Sequence, residues 1–215
     1  MFLIELFVPK GTFDEEQRRR IAERIVTGLV PEDNAAAESI GAFQAITQVL
    51  VHEPETWLVG KQPVTATGPV HYLVRISVPG AWRKESSEHF ISSVTRVLAE
   101  VDEDPERLYR EPHAWVQVVG VPEGGYGLFG QAQGSNDLAR MMSEPYQKAR
   151  EEGSLPEPPP GTVYDPQCGA IVPLDVDAVT LEHDGTTYAF CCAGCRRIFT
   201  DELRAATPSA PAARP

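Results

Sequence analysis

Two stretches decide the fold: Ile4-Glu-Leu-Phe-Val-Pro-Lys-Gly-Thr12 and Val74-Arg-Ile-Ser-Val-Pro-Gly-Ala-Trp82. Each reads as a short strand, and each breaks at a proline. A helical stretch follows both, to about Leu29 in one case and Val101 in the other. A second strand comes next, Ala45–Val51 or Ala114–Val119, and then a proline-led, glycine-containing hairpin at 54–60 or 122–130. Pro9 and Pro79 stand 70 residues apart, and Pro54 and Pro122 stand 68 apart. The chain therefore repeats a β-α-β-hairpin unit.

Thr12 with Glu15 has the spacing of a capping box, and Ile21, Ile25 and Leu29 form one apolar stripe before Pro31. In the second helix Phe90, Ile91, Val94, Val97, Leu98 and Val101 recur at three- and four-residue steps. A strand on either side of one helix implies parallel pairing through a right-handed crossover. Two such units predict an α+β body with a four-stranded sheet and both helices on one face. The other face is then left to be covered, most simply by association between copies.

Past Gly130 the repeat stops. Residues 136–152 read as one or two short helices interrupted near Pro145, and Pro156, Pro158, Pro159 and Pro160 mark a stiff linker. The expected organisation is a body at 1–134, a helical extension and linker at 135–162, a compact module at 163–203 and a disordered tail at 204–215. Net charge is −12 over 215 residues. Such a surface repels phosphate backbones and anionic lipid, which argues against nucleic-acid and membrane partners. Residues 2–8 are apolar but lack a basic leader and contain Glu5, so they read as a strand. No run approaches the ~18 apolar residues of a membrane span. The expected location is cytoplasmic.

The body resembles the tautomerase superfamily, which includes 4-oxalocrotonate tautomerase and macrophage migration inhibitory factor. The strand-Pro-x-Gly-Thr-helix opening and the hairpin Val121-Pro-Glu-Gly-Gly-Tyr-Gly-Leu-Phe-Gly130 carry the likeness, over residues 1–134. The resemblance implies a homotrimer and a small-molecule pocket that Trp57 and Tyr126 would line. It also implies chemistry at an N-terminal proline, but Phe2 follows the initiator Met here. Thr12 and Trp82 stand where an anion-pairing arginine would fall. The Met1 α-amine, with an ordinary pKa near 7.7–8.0, is the remaining candidate base.

All four cysteines lie between 168 and 195. In a chain expected to be cytoplasmic, such clustering points to metal or redox chemistry rather than structural disulfides. Cys191 and Cys195 are four apart at a predicted helix start, where the helix terminus favours thiolate. Cys168 precedes a glycine that lets the backbone turn towards a metal. Three thiolates select Zn(II) or Cu(I), one per chain. A module of about 40 residues has little core, and a metal supplies what is missing.

Asp165-Pro-Gln-Cys168-Gly, then Phe190-Cys191, Cys195 and Phe199, resemble the YHS/TRASH metal module, with Cys192 where serine is usual. The implied form is a small zinc-ribbon or treble-clef-like unit. Candidates for a fourth ligand are Cys192, His183 and Asp165. His52, His71, His89 and His113 are scattered and read as structural or surface residues. The function these features imply is soft-metal binding, copper or zinc, on a degenerate tautomerase-like trimer. The alternative is an enzyme acting on a small molecule, through the metal or through the N-terminal amine.

Overall fold

The computed structural model describes residues 2–175 and 178–206. Two compact units divide the chain. One comprises residues up to Pro31 together with Ile40–Leu138, the other Glu32–Ser39 together with residues from Ala139 onward. Met1, the candidate amine, lies outside the described residues, as do 207–215 of the expected tail. Residues 204–206 complete a helix.

In the first unit, β1 (Phe2–Phe7) leads to α1 (Glu15–Leu29), to α2 (Ala37–Ala45) from Ile40 onward, and to β2 (Thr47–His52). A short hairpin follows, β3 (Leu58–Val59) and β4 (Gln62–Pro63). The second repeat runs through β5 (Tyr72–Pro79), α3 (Arg83–Ala99), the single turn α4 (Arg107–Arg110) and β6 (Ala114–Val121), ending in the hairpin β7 (Tyr126–Leu128) and β8 (Gln131–Gln133). Strand order is β2-β1-β5-β6. The outer pairs are parallel, and β1 meets β5 antiparallel with Ile4 opposite Ile76. The two β-α-β units are thus related across the β1–β5 seam, as the repeat predicts.

Side-chain alternation sorts the two faces of the sheet. Ile4, Leu6, Val8, Tyr72, Val74, Ile76 and Val78 are buried, together with Ile21, Ile25 and Leu29 of α1 and Phe90, Val94 and Leu98 of α3. On the opposite face Trp115 is 68% exposed, Leu50 45% and Val119 42%. Between them Glu5 receives Arg75 at 3.2 Å, with His52 3.5 Å away. One unit covers one face only.

The first helix begins later than Thr12 and Glu15 imply. Asp14 is its cap, accepting from the Gln17 amide at 2.7 Å, while the Gln17 side chain accepts the Asp14 amide at 2.8 Å. Thr12 sits in the preceding turn, its amide bonded to Pro9 O. Helix α2 has no counterpart in the sequence reading.

A buried ion pair ties the start of β5 to the end of α3. Arg107 donates twice to Asp102, through Nε at 3.0 Å and through a terminal nitrogen. It also donates to Val70 O at 2.9 Å and to His113 Nδ1 at 2.5 Å.

The second unit takes most of α5 (Ser135–Glu151), then β9 (Thr162–Tyr164), β10 (Ile171–Pro173), the hairpin β11 (Val179–His183) and β12 (Thr186–Phe190), and α6 (Ala193–Ala206). Helix α5 is continuous through Pro145, where an interruption was expected. Val172, Ala189, Phe190 and Ile198 make a small buried core. Phe199 packs on Tyr188 and Phe190, with ring centroids 5.0 and 5.5 Å apart.

Candidate metal centre

Strand β9 delivers Asp165, and the chain turns back into β10 through Pro166-Gln-Cys168-Gly169. The turn closes on itself: Gly169 N–H donates to Asp165 O at 2.9 Å and Asp165 N–H to Ala170 O at 2.7 Å. Gly169 has φ +75°. A Cβ there would lie 2.5 Å from Tyr146 Cδ2 and 2.6 Å from Ser39 Oγ. Gly169→Ala therefore combines a left-handed alanine, about 1–2 kcal/mol, with overpacking, about 1–3 kcal/mol. Faster amide exchange across residues 164–173 in this variant is the expected readout.

Strand β12 ends at Phe190 and places Cys191 opposite the knuckle. Cys191 Sγ lies 3.6 Å from Cys168 Sγ and 3.7 Å from Cys195 Sγ. With Asp165, these residues offer one carboxylate oxygen and three sulfurs, all within 4.8 Å of one another. That donor set can hold a metal ion, and its chemistry suits a thiophilic one.

Asp165 is fully buried. Its Oδ1 accepts the Gln167 amide at 2.8 Å and the Cys168 amide at 3.3 Å, and its Oδ2 accepts the Cys191 amide at 2.9 Å. One carboxylate therefore joins the knuckle to the start of α6. Burial, with the Cys168 charge beside it, pushes this carboxyl up to about 7 against the pull of those amides.

The sulfurs do not share charge evenly. Hydrogen bonds from the Cys191 and Cys195 thiols, outweighing burial and helped by the Ala170 amide, hold Cys168 well below the usual thiol range. Cys191 and Cys195 are pushed up, chiefly because each hydrogen-bonds to that thiolate. Without a cation the crowded site keeps protons that a metal would displace.

Cys192 is not among the four grouped donors, although its side chain hydrogen-bonds with those of Cys191 and Cys195. Its Sγ accepts the Cys195 amide at 3.4 Å, and its carbonyl accepts the Arg196 amide at 3.3 Å. It caps the N-terminus of α6, a role in which serine is favoured. His183 ends β11, with Nε2 3.5 Å from Asp184 Oδ2 and a side chain 40% exposed. Of the three candidates for a fourth ligand, Asp165 is the one grouped with the sulfurs. The spacing Asp-x-x-Cys, typical of a side-chain-closed turn, was the available signal.

In the first unit Trp57 stands just before β3, its ring 6.4 Å from His71, while Tyr126 opens β7 and is buried. Phe2 is 3% exposed and packs on Phe43, Phe90 and Trp82, with ring centroids 4.7, 5.6 and 6.0 Å apart. An aromatic core contact occupies the place where the tautomerase resemblance requires proline.

No family model matches the chain, and no curated protein matches it. Solved structures similar to it include N1, a member of the cis-3-chloroacrylic acid dehalogenase family, at 16% identity over 72% of this chain and 92% of that one, TM-score 0.46. Another is the R7 fused 4-OT wild-type asymmetric trimer, at 16% identity over 60% and 94%, TM-score 0.45. A third is the macrophage migration inhibitory factor-like protein of Entamoeba histolytica, at 12% identity over 60% and 96%, TM-score 0.43. Among the described residues no helix is long and apolar enough to cross a membrane.

Proposed function

We propose that this protein binds one Zn(II) or Cu(I) per chain through Cys168, Cys191 and Cys195, in a YHS-like module carried on a tautomerase-like, self-associating body. The convergence of three sulfurs and the Asp165 carboxylate carries this reading. Zinc suits the full set, because it takes four ligands and accepts carboxylate beside thiolate. Cu(I) suits the three sulfurs, with Asp165 kept as an acceptor for the knuckle amides. Cobalt(II) substitution tests the site directly. Thiolate charge-transfer bands and intense visible bands of a tetrahedral ion are expected, and an octahedral spectrum without sulfur bands contradicts it.

Self-association is supported by the uncovered sheet face. Leu50 on one edge strand and Trp115 and Val119 on the other expose large apolar side chains on either side of the Glu5–Arg75 pair, on a face that the helices of this unit leave uncovered. A homotrimer is the proposed state. Trp115→Glu with Leu50→Lys should convert it to monomer in light scattering at micromolar concentration. A wild-type chain that is already monomeric there sinks this part of the reading.

A further inference from the structure

Four consecutive carbonyls of the metal knuckle, 166 to 169, accept hydrogen bonds from donors that belong to neither the knuckle nor the cysteine-bearing helix. Gln147 Nε2 donates to Pro166 O and to Gln167 O, both at 2.7 Å, and Arg150 adds a bond to Pro166 O at 2.7 Å. The Ser39 hydroxyl donates to Cys168 O at 2.6 Å, across 129 residues of sequence, and the Ala36 amide donates to Gly169 O at 2.8 Å. The same segment is stitched on by Ile171 N–H to Asn34 O at 2.9 Å and by an antiparallel bridge between Ala35 and Ala170.

Drawing the carbonyls outward turns the amides inward. Those of Gln167 and Cys168 meet the Asp165 carboxylate, at 2.8 and 3.3 Å. The clamp thus orients peptide dipoles towards the anionic side of the site, where a bound cation needs thiolate and carboxylate charged.

Resting on the metal reading above, we infer that Ser39 and Gln147 are positioning residues that set metal affinity, and that metal loading in turn fastens residues 34–39. Linkage makes the two statements one: whatever the clamp adds to metal binding, the metal adds to the clamp. The metal state is thereby reported to the connection between α1 and α2, not kept within the cysteine module.

The test uses the full chain. Zinc affinity is measured by competition with a chromophoric chelator for wild type, Ser39→Ala, Ser39→Thr and Gln147→Ala, and amide exchange at 34–39 is followed with and without zinc. Ser39→Ala and Gln147→Ala should each weaken zinc about 10-fold or more, in the range typical of groups that support ligands. Ser39→Thr, which keeps the hydroxyl, should retain affinity, and zinc should slow exchange at Ala36 and Ile171 in wild type. A wild type that binds no zinc overturns the metal reading and this inference with it. A wild type that binds zinc, with all variants equal to it and exchange at 34–39 indifferent to zinc, overturns the clamp alone.

Discussion

Cys168→Ser, Cys191→Ser and Cys195→Ser should each weaken metal binding sharply and loosen residues 164–203. Serine is a poor ligand for a thiophilic ion, and each replacement breaks a set whose members lie within 4.8 Å of one another. Zinc sites of this kind carry about 10–16 kcal/mol of apparent binding energy, so an even share among four ligands is about 3 kcal/mol. That corresponds to ~100-fold weaker binding per sulfur removed. Cys192→Ser is the control. Its sulfur accepts the Cys195 amide at the start of α6 and is not among the four grouped donors, and serine can take over that cap, so this variant should keep both metal and fold. The affinity should also fall as pH is lowered, because Cys191 and Cys195 hold their protons beside the Cys168 thiolate and must lose them to ligate. Chelator competition at several pH values checks the direction, and pH-independent binding contradicts it.

Arg107→Ala should destabilise the first unit by about 3–5 kcal/mol, the usual effect of leaving one charge of a buried pair unpaired. Asp102 is 4% exposed at its side chain and Arg107 12%. Arg107→Lys should rescue only partly, since one ammonium cannot reproduce bonds to a carboxylate, Val70 O and His113 together. The pH dependence separates this from simple loss of packing. Burial alone would raise the Asp102 carboxyl, but the Arg107 bonds and the Asp104 amide win and hold it below its ordinary value. A carboxyl depressed on folding contributes stability that is present above its unfolded pKa, about 4, and is lost as pH falls through the folded value. In Arg107→Ala that carboxylate is buried without its partner, so stability should instead decline as pH rises from 4 towards 7. Denaturant midpoints across that range decide it, and parallel pH profiles for variant and wild type contradict the assignment.

The duplication was legible because strand and helix periods repeat at nearly constant spacing, and Pro9 and Pro79 punctuate both copies. Helix α2 was not. Ala37-Glu-Ser-Ile-Gly-Ala-Phe-Gln-Ala45 is short, carries Gly41, and shows little segregation of apolar from polar residues. The three sulfurs were legible from spacing alone. Their fourth partner was not, because Asp165, His183 and Cys192 are all chemically able to ligate. The turn that buries Asp165 and the cap that engages Cys192 are set by backbone amides, which the sequence does not display. The clamp of 34–39 on the knuckle was hidden for the same reason. Apart from the Ser39 hydroxyl it uses only main-chain groups, and no residue pattern marks them.

The most direct test of the metal assignment is elemental analysis of the full-length protein, purified without added metal and normalised to chain concentration, beside the Cys168→Ser/Cys191→Ser/Cys195→Ser triple variant. The account predicts one zinc or copper ion per wild-type chain and none in the variant. Wild-type protein that carries no zinc or copper and takes up neither on titration, or a triple variant that retains a full complement, would contradict it.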